Sequence, residues 1–149
     1  MMRNQYRLSD VRFLTGIDLK TLNTLIRRGF VTHTEKVPLG VRKHEHFISF
    51  NQILWVLIFR LCVQGFHLRY DQFAKAWKDN ILDAIENQKK FFAISRHVDE
   101  MDFAFQVTGS YEEIIDKGII KFGLVTMVFN LGKMRESLIK KIVKLNGEK

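Results

Sequence analysis

Apolar residues recur along the first part of the chain at helical spacing, and polar residues mark where each predicted helix begins and ends. Ser9 predicts the N-cap of a short helix over Asp10–Leu14, with Leu8 and Phe13 as a hydrophobic staple. Asp18 predicts the N-cap of a second helix that runs to Arg28, with Ile17 and Leu22 as a hydrophobic staple and Gly29 as the C′ residue. Gly16, between them, suits the positive φ angle of a sharp turn. The pattern therefore predicts two short helices joined by a tight turn.

The pattern then changes to strand and turn residues and afterwards to a long apolar run. Thr32–Phe47 predicts a two-stranded hairpin with its tip at Pro38-Leu39-Gly40. Ser49 and Gln52 predict a capping box at the start of a third helix. Eleven of the 14 residues of Phe50–Val63 are apolar, so this helix should be buried on nearly all sides. Gly65 should end it.

The second half combines one more helical pattern with shorter strand-like segments. A helix should follow Gly65, and another should run from Ser110 to about Ile120. Three strands are predicted near Phe91–Ser95, Phe103–Thr108 and Leu124–Phe129, followed by a final helix with the apolar stripe Met134, Leu138, Ile142 and Leu145. The fold class expected is α+β, with one unit over residues 1–79 and a smaller one, of about three strands and two helices, over residues 80–149.

The positive charge is concentrated in the first of these units. The whole chain has 24 Lys and Arg against 16 Asp and Glu, a net charge of +8. Residues 1–79 hold 13 basic and 6 acidic residues, whereas residues 80–149 hold 11 and 10. A localised basic surface is typical of proteins that bind a phosphate backbone, although a basic surface that merely faces solvent is the alternative.

Several classes of protein are disfavoured by what the sequence lacks. Cys62 is the single cysteine, so neither a disulfide framework nor a cysteine metal site is expected. Ile53–Val63 is well short of the roughly 20 residues of a membrane span, and we expect a soluble, cytoplasmic protein. Phosphate-binding glycine loops, zinc-protease patterns and nucleophile elbows are missing, so we expect neither an enzyme nor a cofactor.

The second predicted helix, Asp18–Arg28, carries the best candidates for contacts with nucleic acid. Its apolar stripe of Leu22, Leu25 and Ile26 leaves polar and basic residues facing outward, as in a helix-turn-helix whose second helix enters the major groove. Asn23 is the candidate base reader, because an amide can bind adenine in a bidentate manner. The full set of predicted DNA-binding residues is Lys20, Thr21, Asn23, Thr24, Arg27, Arg28, Arg42, Lys43, His44 and Arg69.

His44 and His46 fall on the same face of the predicted returning strand, as a pair of metal ligands would. No carboxylate or thiol accompanies them at motif spacing, so we interpret them as hairpin surface residues and expect no metal site.

The order of these elements resembles the DNA-binding domain of the MerR family of transcription regulators over about residues 6–79. The similar segments are Thr15-Gly16-Ile17, Thr21-Leu22, Arg28-Gly29-Phe30, the hairpin, and the serine-capped third helix followed by Gln64-Gly65-Phe66. The resemblance implies a winged helix-turn-helix that binds double-stranded DNA. The chain has Asn23-Thr24-Leu25 where the family usually carries arginine and two tyrosines, and the second half resembles nothing familiar.

The sequence thus predicts a sequence-specific regulator of transcription that acts as a homodimer, and it leaves room for a small-molecule effector that it does not identify. We expect the dimer to form through the second half, because its phenylalanine-rich strands and the stripe of its last helix carry more apolar surface than 70 residues easily bury. Two alternatives stay open. One is an excisionase-like or architectural DNA-binding factor that needs no effector, and the other is a protein-interaction module that has lost DNA binding.

Overall fold

A computed structural model of the 149-residue chain describes residues 5–32, 35–40, 44–65, 79, 81–97, 103–108 and 123–147. It combines helices with two antiparallel sheets, so the α+β prediction is confirmed. The chain divides into two compact units, one of Met1–Lys78 with Lys141–Lys149 and one of Asp79–Lys140. The sequence placed the division after Asp79 and assigned the whole C-terminal helix to the second unit.

Between residues 5 and 65, the described part of the first unit contains three helices and a three-stranded sheet. In chain order the elements are β1 (Gln5–Arg7), α1 (Leu8–Thr15), α2 (Leu19–Arg27), β2 (Glu35–Pro38), β3 (His44–Ser49) and α3 (Phe50–Phe59), with a π-helical turn over Arg60–Gly65.

The sheet has the order β1-β3-β2, and both pairings are antiparallel. β2 and β3 form the predicted hairpin, with Glu35 opposite Phe47 and Pro38 opposite His44. The strand β1 was not predicted, because three residues are too few to establish a period of two. Its central residue, Tyr6, is fully buried and lies opposite Ile48.

The prediction that Ser9 caps α1 is wrong. The helix begins earlier, with Arg7 as the N-cap and no side-chain hydrogen bond at that position. Tyr6 and Val11 consequently occupy the positions of a hydrophobic staple, and both are fully buried. Phe13, which the sequence assigned to that staple, is 55% exposed. Because β1 leads directly into α1, no capping side chain marks the start of this helix in the sequence.

The core of the first unit is built around α3, as the apolar run predicted. Six of its ten residues are buried: Ile53, Leu54, Trp55, Val56, Ile58 and Phe59. Ser49 caps the helix, since its hydroxyl accepts a hydrogen bond from the Gln52 N–H at 3.3 Å. The Gln52 side chain does not complete a capping box, because its oxygen accepts from the Thr32 N–H at 3.2 Å.

Cys62 lies in the π-helical turn and is fully buried. Desolvation by this burial raises the pKa of its thiol to about 12, so the thiol is protonated at neutral pH. It therefore acts as a small apolar side chain rather than a reactive group.

The second unit contains a three-stranded antiparallel sheet of β4 (Phe91–His97), β5 (Phe103–Thr108) and β6 (Gly123–Asn130), in the order β5-β4-β6. All three predicted strands are present and paired. Phe92 lies opposite Phe129, and their rings stack with centroids 4.4 Å apart. A helix α4 (Leu131–Gly147) follows β6, with Asn130 accepting from the Lys133 N–H at 3.0 Å.

Residues 81–86 are helical and end in a turn at Gln88, whose φ angle is +53°. Arg135 stabilises this helix end by donating to the carbonyl oxygens of Ile85 and Lys89 at 2.9 and 3.0 Å. Desolvation lowers the pKa of its guanidinium, but an arginine stays charged at neutral pH. The predicted helix from Ser110 to about Ile120 lies outside the described residues.

The apolar stripe predicted for the last helix packs within the chain. Leu138 and Ile142 are buried, and Met134 and Leu145 are half-buried. Among the described residues, no helix has the length and apolar content needed to cross a bilayer.

Candidate nucleic-acid interface

The helix α2 is held at its N-terminus by Asp18, as the sequence predicted. The Asp18 carboxylate accepts a hydrogen bond from the Thr21 N–H at 2.7 Å. Ile17 and Leu22, the two positions of the predicted staple, are both buried. The start of α2 is therefore fixed by one polar contact and one apolar pair.

The other end of α2 is closed by a Schellman motif. Gly29 has a φ angle of +76°, and its N–H donates to the Ile26 carbonyl at 3.0 Å. The Phe30 N–H donates to the Leu25 carbonyl at 2.9 Å, which completes the pair of bonds typical of the motif. The Trp55 indole then donates to the Phe30 carbonyl at 2.7 Å, so the end of α2 is tied to the central helix.

The outward face of α2 is polar and basic. Leu22 and Leu25 are buried, whereas Lys20, Asn23 and Arg27 are exposed. At 3.6 residues per turn these three exposed positions fall within an arc of about 60°. No acidic residue occurs between Leu19 and Arg27, so the positive charge of this face is not neutralised from within the helix.

The two threonines of α2 are less available than the sequence suggested. Thr21 and Thr24 are both half-buried. The Thr24 hydroxyl donates to the Lys20 carbonyl at 3.0 Å, so only its oxygen can serve an outside partner, as an acceptor. Arg28, the C-cap residue, is exposed.

Two carboxylates near this face are already engaged. The hydrogen bond from the Thr21 N–H lowers the pKa of Asp18, so this carboxylate is ionised at neutral pH. This hydrogen bond contributes to stability above the ordinary aspartate pKa of 3.8, and the contribution is lost as the pH falls through the lowered pKa of the folded state. Glu45 of the hairpin pairs with Arg7 at 3.3 Å, which offsets its negative charge.

A cleft of about 300 Å³ opens between the start of α1, the outward edge of α2 and the hairpin. Leu19 and Asn23 line it from α2, and Leu39 and Glu45 line it from the hairpin. Leu39, at the predicted tip, is 62% exposed. The structure thus places α2 and the hairpin on either side of one open cleft.

The remaining predicted site residues fall in two groups. Arg42, Lys43 and Arg69 lie outside the described residues. His44 lies in β3, next to the tip of the hairpin. Within the described part of the chain, no three histidine, cysteine or acidic residues come together at a metal-binding spacing.

Sequence reasoning missed three features of this surface. Leu19 is 37% exposed although the other two leucines of α2 are buried, and Leu39 lines the same cleft. The guanidinium of Arg60 lies against the turn between α1 and α2, where a Cβ atom on Gly16 would be 3.0 Å from it. A helical wheel could have identified Leu19, but the other two contacts join residues that are distant in sequence.

Comparison of the chain with models of protein families and with characterised proteins finds no match.

Proposed function

We propose that the first unit is a winged helix-turn-helix that binds double-stranded DNA and that the protein regulates transcription. The observation that carries this proposal is the outward face of α2. An exposed amide, Asn23, lies there between two exposed cations, Lys20 and Arg27, on a helix whose other side is fixed in the core.

The dimensions of α2 support its insertion into the major groove. A helix with its side chains is about 10–12 Å across, and the groove is about 12 Å wide. Asn23 would bind the edge of an adenine, while the two cations would bind the phosphates on either side. The Schellman motif and the Trp55 bond support this role because a base-reading helix must be held rigidly.

The hairpin β2–β3 would serve as the wing. Arg42 and Lys43 lie in the chain between its two strands, and wings of this kind contact the sugar-phosphate backbone next to the groove. The pairing of Arg7 with Glu45 supports this role, since an unneutralised carboxylate in the hairpin would repel the phosphates.

Selection of full-length protein on a library of random DNA duplexes tests the proposal. We expect one gapped palindrome to be enriched, with binding that weakens steeply as salt rises because phosphate contacts release counterions. Sites clustered at the ends of recombining elements would instead indicate an excisionase-like factor. No enrichment would contradict sequence-specific binding and favour the protein-interaction module.

A further inference from the structure

Leu19 and Asn23 are one helical turn apart on α2 and line the same cleft. Leu19 is the first residue of the helix and is 37% exposed, while Leu22 and Leu25 are buried. An aliphatic side chain at this position can neither donate nor accept a hydrogen bond. In a DNA complex it would therefore gain only from contact with another apolar group.

The edge of DNA in the major groove offers one apolar substituent, the C5 methyl group of thymine. Four residues along a helix correspond to about 6 Å, and successive base pairs are about 3.4 Å apart. Leu19 and Asn23 are thus spaced to touch bases no more than two pairs apart.

We propose that Leu19 is a specificity-determining residue that reads the methyl group of a thymine, within two base pairs of the adenine that Asn23 binds. This inference rests on the proposed function and adds to it the class of sequence recognised, a site in which an adenine and a thymine lie close together.

The probe is the duplex that the full-length protein selects, with its thymines replaced one at a time by deoxyuridine, which lacks only the methyl group. Burial of one methyl group corresponds to about a fourfold change in affinity, about 0.8 kcal/mol. We expect one substitution, within two base pairs of the adenine that requires Asn23, to weaken wild-type binding by about that factor.

Variants then assign the effect to Leu19. Leu19→Ala should bind the thymine and deoxyuridine duplexes equally, and Leu19→Met, which keeps an apolar side chain, should retain a preference for thymine. Leu61→Ala is the matched control, because Leu61 is 41% exposed and lies outside α2, and it should keep the full fourfold difference.

The outcomes separate this inference from the proposed function. If the wild-type protein bound every deoxyuridine duplex as tightly as its thymine counterpart, or if Leu19→Ala kept the preference, the role of Leu19 would be wrong while DNA binding stood. If no sequence were selected at all, both proposals would be overturned. The deoxyuridine comparison needs no variant, so it holds even if a substitution impairs folding.

Discussion

Gly16 and Gly29 have nearly the same backbone angle but different surroundings. Their φ angles are +74° and +76°. A Cβ atom at Gly16 would be 3.0 Å from the guanidinium of Arg60, whereas one at Gly29 would have no neighbour within 4 Å. The two residues therefore separate the cost of the backbone angle from the cost of crowding.

We expect Gly16→Ala and Gly29→Ala each to lower the free energy of unfolding by about 1 kcal/mol, from the left-handed angle alone. Crowding at Gly16 should add little, because the end of an arginine side chain can move aside. Urea unfolding measures both effects, and Gly40→Ala is the control, since its φ is not positive and a Cβ there meets nothing within 4 Å. A much larger loss for Gly16→Ala would show that Arg60 is held rigidly.

Asn23 is the side chain to which the proposal assigns base recognition. We expect Asn23→Ala to relax the preference at one base position in each half-site, at a cost of about 1–3 kcal/mol on the selected duplex. Arg27→Ala, the comparison, should weaken binding to all duplexes alike. Titration of both variants against the selected duplex and a scrambled duplex decides the question. Equal losses on both duplexes for Asn23→Ala would mean that Asn23 contacts only the backbone.

Among the elements, the hairpin and α2 differ in how far their structure follows from local sequence. Both ends of α2 are fixed by residues within the helix or next to it, Asp18 and Gly29, so the sequence predicted them correctly. The hairpin was also predicted, but β1, the strand that pairs with its second strand, was not. That pairing joins residues about 40 positions apart, so it cannot be predicted from the pattern of neighbouring residues.

The two basic residues between the strands of the hairpin provide a test of its role as the wing. If it is the wing, replacing Arg42 and Lys43 together with alanine should weaken binding to every duplex. It should also reduce the slope of log affinity against log salt by about 1.8, because two phosphate contacts are lost. Affinity measured over a series of salt concentrations gives the slope.

Lys89 and Lys90 provide a matched control for this pair. They are adjacent, exposed and in the second unit, and their replacement with alanine should leave the slope unchanged. An unaltered slope in the Arg42/Lys43 variant would exclude the hairpin from the interface.

For the whole molecule, the structure changes the surface to which we assign the proposed dimer contact. The stripe that we expected to dimerise includes Leu138 and Ile142, which are buried within the chain. The exposed apolar residues of α4 are instead Ile139 and Val143, at 38% and 62% exposure and one turn apart. The homodimer remains a proposal, now assigned to this face of α4.

We expect the full-length protein to sediment as a dimer at micromolar concentration and the double variant Ile139→Gln, Val143→Gln to sediment as a monomer. Leu61→Gln, which changes an exposed apolar residue elsewhere, should remain dimeric. A monomeric wild-type protein, with and without the selected duplex, would rule out the dimer. Deletion of the second half is unsuited to this test, because Lys141–Lys149 belong to the first unit.

The sequence by itself determined the α+β class, the order of the described helices and strands apart from β1, the caps of α2 and the polar outward face of that helix. These features depend on the period of apolar residues and on contacts within a few positions, so a linear pattern records them. It also indicated Asn23 as the candidate base reader, because a helical wheel shows this amide on one face with Lys20 and Arg27.

The tertiary structure alone decided which surfaces remain available. It paired β1 with β3, placed Arg60 against Gly16, anchored the end of α2 to Trp55, and brought Leu19 and Leu39 to one cleft. It also buried Leu138 and Ile142, the central residues of the stripe expected to form a dimer. Each of these contacts depends on chain segments far apart in sequence, and the burial of an apolar side chain depends on which of these distant segments packs against it.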